Sequence, residues 1–307
     1  MNEPQSTQQV LMIRPVRFAG NEQTAASNRF QDLSAPGDVQ AQALAEFDSL
    51  VMGLRAAGVT VHVLDDTPEP HTPDSIFPNN WLSCHADGTV VLYPMLAPNR
   101  RLERRMDVLQ QLSAQGLRIT QIIDLSAHEA DDKFLEGTGS LVLDRAHRMA
   151  YACLSPRTDL DVLGDFAQRL DYELVTFDAV DANGVPIYHT NVLLCVGTHF
   201  AVLCTEVIAA HEQAAVLHAL RSTGHEVIEI STAQMQRFAG NMLELRTERG
   251  DPCLALSQCA YDSLDVSQVE QLQRLAGQLV VAAIPTIERL GGGSVRCMLA
   301  EVFLPTG

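Results

Sequence analysis

One unit recurs five times along this chain, and nothing else in the sequence restricts the fold as much. The unit is an amphipathic helix, a glycine, an apolar strand, a loop, a short signature and a hairpin. The signatures are Phe77-Pro78-Asn79-Asn80-Trp81, Leu135-Glu136-Gly137-Thr138-Gly139, Tyr188-His189-Thr190-Asn191, Phe238-Ala239-Gly240-Asn241 and Gly291-Gly292-Gly293-Ser294-Val295-Arg296-Cys297. Helix starts recur roughly every 50–60 residues, a period that belongs to closed arrays and solenoids. Glu, His and Cys at equivalent places in such a repeat can gather around one axis, and together they point to cysteine-nucleophile chemistry.

The helices follow from 3.6-residue spacing. Leu44, Phe47, Leu50, Val51 and Leu54 share a face; so do Leu102, Met106, Leu109 and Leu112. Leu160, Leu163, Phe166 and Leu170 form a third stripe, and Val216, Leu217 and Leu220 a fourth. The fifth opens at Ser267 with Glu270 three residues on, a capping-box pattern, and buries Val269, Leu272, Ala276 and Leu279. Gly58, Gly116 and Gly224 lead straight into apolar strands. Hairpins are expected over residues 81–95, 141–154, 192–203 and 243–256. The fifth hairpin has one strand, 296–304, whose partner is read as residues 10–15 at the other terminus. Pairing the termini would close the ring and remove the open sheet edge. The expected fold class is therefore α/β, a single domain over residues 1–307.

Composition sets the partners. The net charge is −17, from 38 acidic and 21 basic residues, which disfavours nucleic acid and anionic membrane. No run approaches the ~18 apolar residues of a membrane span, and residues 1–9 lack the apolar core of a signal peptide. Seven cysteines without a Cys-x-x-Cys pair or zinc-like spacing read as reduced, cytoplasmic and free of metal. Cys84, Cys153, Cys195, Cys204, Cys253 and Cys259 fall in or beside apolar strands, as small hydrophobes. The expected partner is a small-molecule substrate; no cofactor is called for, and a homo-oligomer is left open. Residues 19–38, polar and of low complexity, read as a loop over the surface. Residues 65–74, with three prolines, read as a loop near the site.

Cys297 stands apart from the other six because three glycines precede it, which permit unusual backbone angles and close approach of a substrate. A lone cysteine is more often core, and a lone histidine more often surface or satisfied core; the repeat position favours function for both Cys297 and His189. A histidine beside a cysteine can stabilise the thiolate and then move protons. Glu136, leading into the apolar run Leu141-Val142-Leu143, needs a partner if buried. It could bind an N–H-rich substrate or orient His189.

These ordered motifs resemble the pentein superfamily of guanidino-group-modifying enzymes over about 290 residues. The resemblance implies a five-bladed α/β propeller of ββαβ-type units. It implies Cys297 as nucleophile, His189 as general acid/base and Glu136 as the carboxylate holding substrate N–H groups. Asp74 falls where relatives carry an acidic substrate-binding residue. Arg157, in Ser155-Pro156-Arg157-Thr158, resembles the arginine that grips the substrate α-carboxylate, a bidentate task. Asn241 is expected to be architectural. Asn80 and Asn191 stand where many relatives have aspartate. Asparagine can meet both the N–H and the C=O of a neutral urea, whereas an aspartate pair suits a guanidinium. With the runs Gly291-Gly292-Gly293-Ser294-Val295-Arg296-Cys297-Met298 and Phe77-Pro78-Asn79-Asn80-Trp81, the chain looks most like the citrulline-utilisation hydrolases. An arginine deiminase-like or succinylarginine dihydrolase-like hydrolase, an amidinotransferase and a non-catalytic ribosome-binding module are the alternatives.

Overall fold

The computed structural model of the chain describes residues 3–25, 27–32 and 39–307. Among them are five three-stranded sheets built alike. In each of four, a short inner strand pairs antiparallel with a middle strand, and a helix then crosses to an outer strand parallel to the middle one. These are Leu82–Cys84, Thr89–Leu92 and Gln121–Asp124; Val142–Asp144, Met149–Cys153 and Glu173–Phe177; Leu194–Val196, Phe200–Leu203 and Glu226–Glu229; and Leu243–Arg246, Pro252–Ser257 and Gln278–Ala282. The fifth draws its inner strand, Ala300–Glu301, from the far end of the chain; Gln9–Arg14 lies at its centre and Thr60–Asp65 outside. Val10 faces Glu301 and Leu11 faces Ala300. This is the α/β propeller of ββαβ units.

Alternation along Gln9–Arg14 shows how the blades share their cores. Val10 and Met12 pack with Phe47, Leu50 and Leu54 of the helix Val39–Ala56; Leu11 and Ile13 turn the other way, onto Trp81 and Leu82 of the next blade. Each fully buried Leu or Phe contributes about 1.5–3 kcal/mol. Leu50→Ala would leave a void between helix and sheet, at about 2–5 kcal/mol.

Several elements differ from the sequence reading. The strand expected after Gly116 begins at Gln121 and runs to Asp124. The last capping box is Asp265 with Gln268, because an aspartate side chain takes the Gln268 N–H two residues before Ser267. Leu102, Met106 and Leu160 are exposed: Leu102 lies in a 3-10 turn before its helix, and Met106 and Leu160 are the first residues of the helices Met106–Ala114 and Leu160–Leu170. Cys259, read as in or beside a strand, lies just past the strand Pro252–Ser257, on the short helix Gln258–Ser263. The strand expected over 296–304 shortens to Ala300–Glu301, preceded by a 3-10 turn, Val295–Met298.

That last change is general. Signatures one, two, three and five each wind into a single helical turn before the inner strand: Pro78–Asn80, Gly137–Ser140, Thr190–Val192 and Val295–Met298. Their polar side chains therefore face one another, and the turns pack tightly. A Cβ on Gly240 would lie 2.4 Å from the Val192 carbonyl oxygen, so the fourth signature meets the third only as glycine.

Candidate active site

Glu136 is wholly buried at the head of its turn. Its Oε1 accepts from the Leu96 N–H at 3.1 Å. Its Oε2 accepts from His189 Nε2–H at 2.8 Å and from Arg157 Nη1 at 3.2 Å, with Arg100 Nη1 at 3.9 Å. Burial alone would raise the Glu136 pKa; Arg157, His189 and Arg100 outweigh it and hold the group well below the ordinary carboxylate range. An ionised carboxylate only accepts, so the proton of neutral His189 sits on Nε2 and leaves Nδ1 a lone pair. Burial, joined by Arg157 and Arg100, draws the imidazole pKa down to about 4 against the pull of Glu136. Tyr188 packs its ring 4.7 Å from that of His189. Gly139 makes room beneath: a Cβ there would fall 2.8 Å from His189 Nδ1 and 2.4 Å from Asn80 Nδ2.

Cys297 is 4% exposed on its 3-10 turn. Two amides point N–H groups at its sulfur, Asn241 Nδ2 at 3.3 Å and Asn191 Nδ2 at 3.6 Å. Asn241 also donates to the Asn191 carbonyl at 3.0 Å and accepts the Arg296 N–H at 3.1 Å, tying the third, fourth and fifth signatures together. Burial pushes the thiols of Cys84, Cys153 and Cys195 up to about 12.

Asp74, Asn80, Arg157, His189 and Cys297 line one narrow cleft, with Arg100, Tyr188 and residues 291–293. Glu136 lies behind His189, and Asn191 reaches the sulfur. Tyr188 also borders a wider cavity lined by Phe30, Met235, Phe238 and Cys259, which neither Cys297 nor His189 lines. The fork of Arg157 is largely spent: it gives N–H groups to Glu136, to Ser27 Oγ from both Nε and Nη2, and to the Thr24 carbonyl. A buried guanidinium has to place its donors, and one Nη1 N–H remains. Three buried polar atoms beside the sulfur and imidazole have no partner: Asp74 Oδ1, Asn80 Nδ2 and Asn191 Oδ1.

Sequence reasoning missed two contributors. The segment read as a surface loop instead folds over the site. Asn21 and Thr24 donate to Asp74 Oδ2 at 2.8 and 3.2 Å, and Asn28 donates to the Gly292 carbonyl at 3.1 Å. The rest of that loop, residues 26 and 33–38, lies outside the described residues. Gly291 ends the helix Pro285–Gly291, and the Gly292 carbonyl accepts from Tyr188 Oη at 2.7 Å. The second is Arg100, held by both Glu103 oxygens at 2.9 and 2.8 Å. It sits among Arg101, Arg104 and Arg105, a run that resembles a solvated helix face.

The fold has counterparts among solved structures. A cyanobacterial arginine dihydrolase, ArgZ, is 18% identical with a TM-score of 0.75 over 97% of this chain; the match spans 41% of that protein's length. The N-terminal domain of ArgZ, solved with a covalently bound reaction intermediate, is 17% identical with a TM-score of 0.74 and matches 97% of this chain and 99% of that one. A dimethylarginine dimethylaminohydrolase variant, as an adduct with S-methyl-L-thiocitrulline, is 14% identical with a TM-score of 0.65, covering 96% and 99%. No protein of curated function matches the chain. Fold and family together place the chain in the pentein class. The chain belongs to the family described as N,N dimethylarginine dimethylhydrolase, eukaryotic, whose model matches residues 14–304. Among the described residues no helix is long and apolar enough to cross a membrane.

Proposed function

We propose that this enzyme hydrolyses the ureido group of citrulline, giving ornithine, ammonia and carbon dioxide through a carbamoyl-cysteine at Cys297. One observation carries the choice of a neutral urea. Glu136, the acid at the imidazole, lies behind His189 with both oxygens bonded to protein donors, which leaves the amides of Asn80 and Asn191 to meet the ureido group and the free Asp74 oxygen to meet the substrate ammonium. A guanidinium there would meet an unpaired donor at Asn80 Nδ2.

The steps balance as follows. His189 Nδ1 takes the Cys297 thiol proton, and the thiolate adds to the ureido carbon. Asn191 and Asn241 N–H groups stabilise the thiolate, a role a cationic substrate would otherwise share. The C–NH₂ bond breaks, and His189 returns the proton so that ammonia leaves. Water then attacks the S-carbamoyl carbon and yields its proton to His189, which passes it to the departing sulfur. The freed carbamate loses carbon dioxide and leaves ornithine. Net consumption is one water per citrulline. Asp74 Oδ1 holds the substrate ammonium, and the remaining Arg157 N–H holds its carboxylate. A thiol nucleophile suits a reducing, cytoplasmic compartment, and none of the seven cysteines is paired.

A guanidino substrate is the second reading, favoured by family membership and by the unpartnered Asp74 oxygen. Incubation with citrulline, arginine and succinylarginine separately, assayed for ammonia, ornithine and citrulline, decides between them. Ornithine formed from citrulline supports the proposal. Citrulline accumulating from arginine, with citrulline itself inert, overturns it.

A further inference from the structure

Arg100 has no place in the mechanism above, yet it is among the most deeply buried large side chains described. Glu103 grips it from below with both oxygens, and Nη2 also donates to the Phe77 carbonyl at 3.3 Å. Asp74 Oδ2 lies 3.7 Å from Nε. So fixed, Nη1 donates to Asn80 Oδ1 at 2.9 Å. A guanidinium carries no acceptor, so the Asn80 atom facing it has to be oxygen. Turning the amide over would set NH₂ against a cation and forfeit a charge-assisted hydrogen bond. Asn80 Nδ2 is therefore committed to the opposite side, against Gly139 and beside the His189 ring, where it is buried without a partner.

We infer that Arg100 is the specificity-determining positioning residue: by locking the Asn80 amide it presents a donor where a ureido group has oxygen and a guanidino group has N–H. The inference rests on the citrulline reading and extends it to the cause of the choice. Arg100 also lies 3.9 Å from Glu136, an influence that citrulline and arginine share, whereas its effect on the ratio of substrates runs through Asn80 and vanishes when Asn80 is gone. A residue that only gripped the shared α-carboxylate would change citrulline and arginine alike.

The test measures kcat/KM for citrulline and for arginine in four variants beside wild type. Arg100→Gln is made together with Glu103→Gln, so that no buried carboxylate is stranded; the new glutamine can donate or accept and imposes no orientation. The pair is also combined with Asn80→Ala, and Asn80→Ala is made alone. Asn80→Asp, a near-isostere that disturbs packing least, keeps an oxygen on Arg100 and turns a second oxygen to the substrate. The expected result is a citrulline-to-arginine ratio at least about tenfold lower in the Arg100/Glu103 pair, the scale of one hydrogen bond to a charged group. Asn80→Asp lowers the ratio further, and the pair leaves the ratio of Asn80→Ala unchanged. Equal losses on both substrates, or the same fall with Asn80 absent, overturns the role of Arg100 while wild-type citrulline turnover stands. An unmoved ratio in Asn80→Asp overturns it even if the pair does not fold. Wild-type enzyme inert to citrulline overturns the functional reading and this inference with it.

Discussion

Replacing Asn241 by leucine tests whether fixed amides sustain the nucleophile. The side chain gives Cys297 Sγ an N–H at 3.3 Å, and a hydrogen bond to a charged group is worth about 1.5–3 kcal/mol. At a pH where the thiol dominates, the thiolate population then falls roughly 10- to 150-fold, at about 1.4 kcal/mol per decade. The surviving thiolate is more basic and more nucleophilic, with a Brønsted slope of about 0.4–0.5. That recovers roughly half of the loss on a logarithmic scale, so alkylation of Cys297 by iodoacetamide slows about 4- to 16-fold. Peptide mass spectrometry at neutral pH follows it, with Cys259, the one cysteine of the seven that is not buried, as internal reference. The Arg296 N–H and the Asn191 carbonyl also lose a partner, so the melting temperature should fall. A lower melting temperature with the Cys297 rate unchanged would show that Asn241 is architectural only, and the amide account of the thiolate would be wrong.

Four more outcomes follow from the same geometry. Cys297→Ser should abolish turnover and leave the circular dichroism spectrum intact; a variant that still turns over removes the nucleophile assignment. Because burial holds the His189 pKa down at about 4, the imidazole stays neutral until pH falls through that value, and protonation then removes the base. The acid limb of kcat/KM should lie near pH 4, and a limb near the ordinary histidine value of about 6.5 refutes the assignment. Gly139→Ala forces a methyl against Asn80 and His189 and should cost about 1–3 kcal/mol in urea unfolding, along with most activity; a neutral result means the turn relaxes. Arg157→Ala removes one of the partners of the Glu136 carboxylate, an expected loss of about 1.5–3 kcal/mol of stability, and raises KM for citrulline more than for its decarboxylated analogue. An equal KM change for the two removes the carboxylate contact.

Residue spacing made the five units, their helices and the chemical trio legible, because apolar periodicity and signature position are local properties. Where spacing failed, the cause was tertiary. Residues 21–31 look like a solvated loop because they are polar, but their partners are polar too: Asn21, Thr24, Ser27 and Asn28 bond to Asp74, Arg157 and the Gly292 carbonyl. Arg100 hides in a charged run because burial of a charge depends on partners distant in sequence, here Asn80 and Asp74 as well as nearby Glu103.

The asparagines show most clearly where letters stop and structure begins. An amide offers a donor end and an acceptor end, and sequence cannot say which end meets the substrate. In each of the three cases a neighbour able to play only one role decides. Arg100 can only donate, so it takes the Asn80 oxygen and frees an N–H. The Thr138 carbonyl can only accept, so it takes an Asn191 N–H and leaves that oxygen free. The Arg296 backbone N–H can only donate, so it takes the Asn241 oxygen and leaves the amide nitrogen on the sulfur. The cleft thus carries a donor, an acceptor and a thiolate-stabilising donor from three identical side chains. A ureido group has the complementary oxygen and N–H, and a guanidinium lacks the oxygen. On the citrulline reading proposed above, a preference for a neutral substrate would reside less in the asparagines than in the groups that orient them.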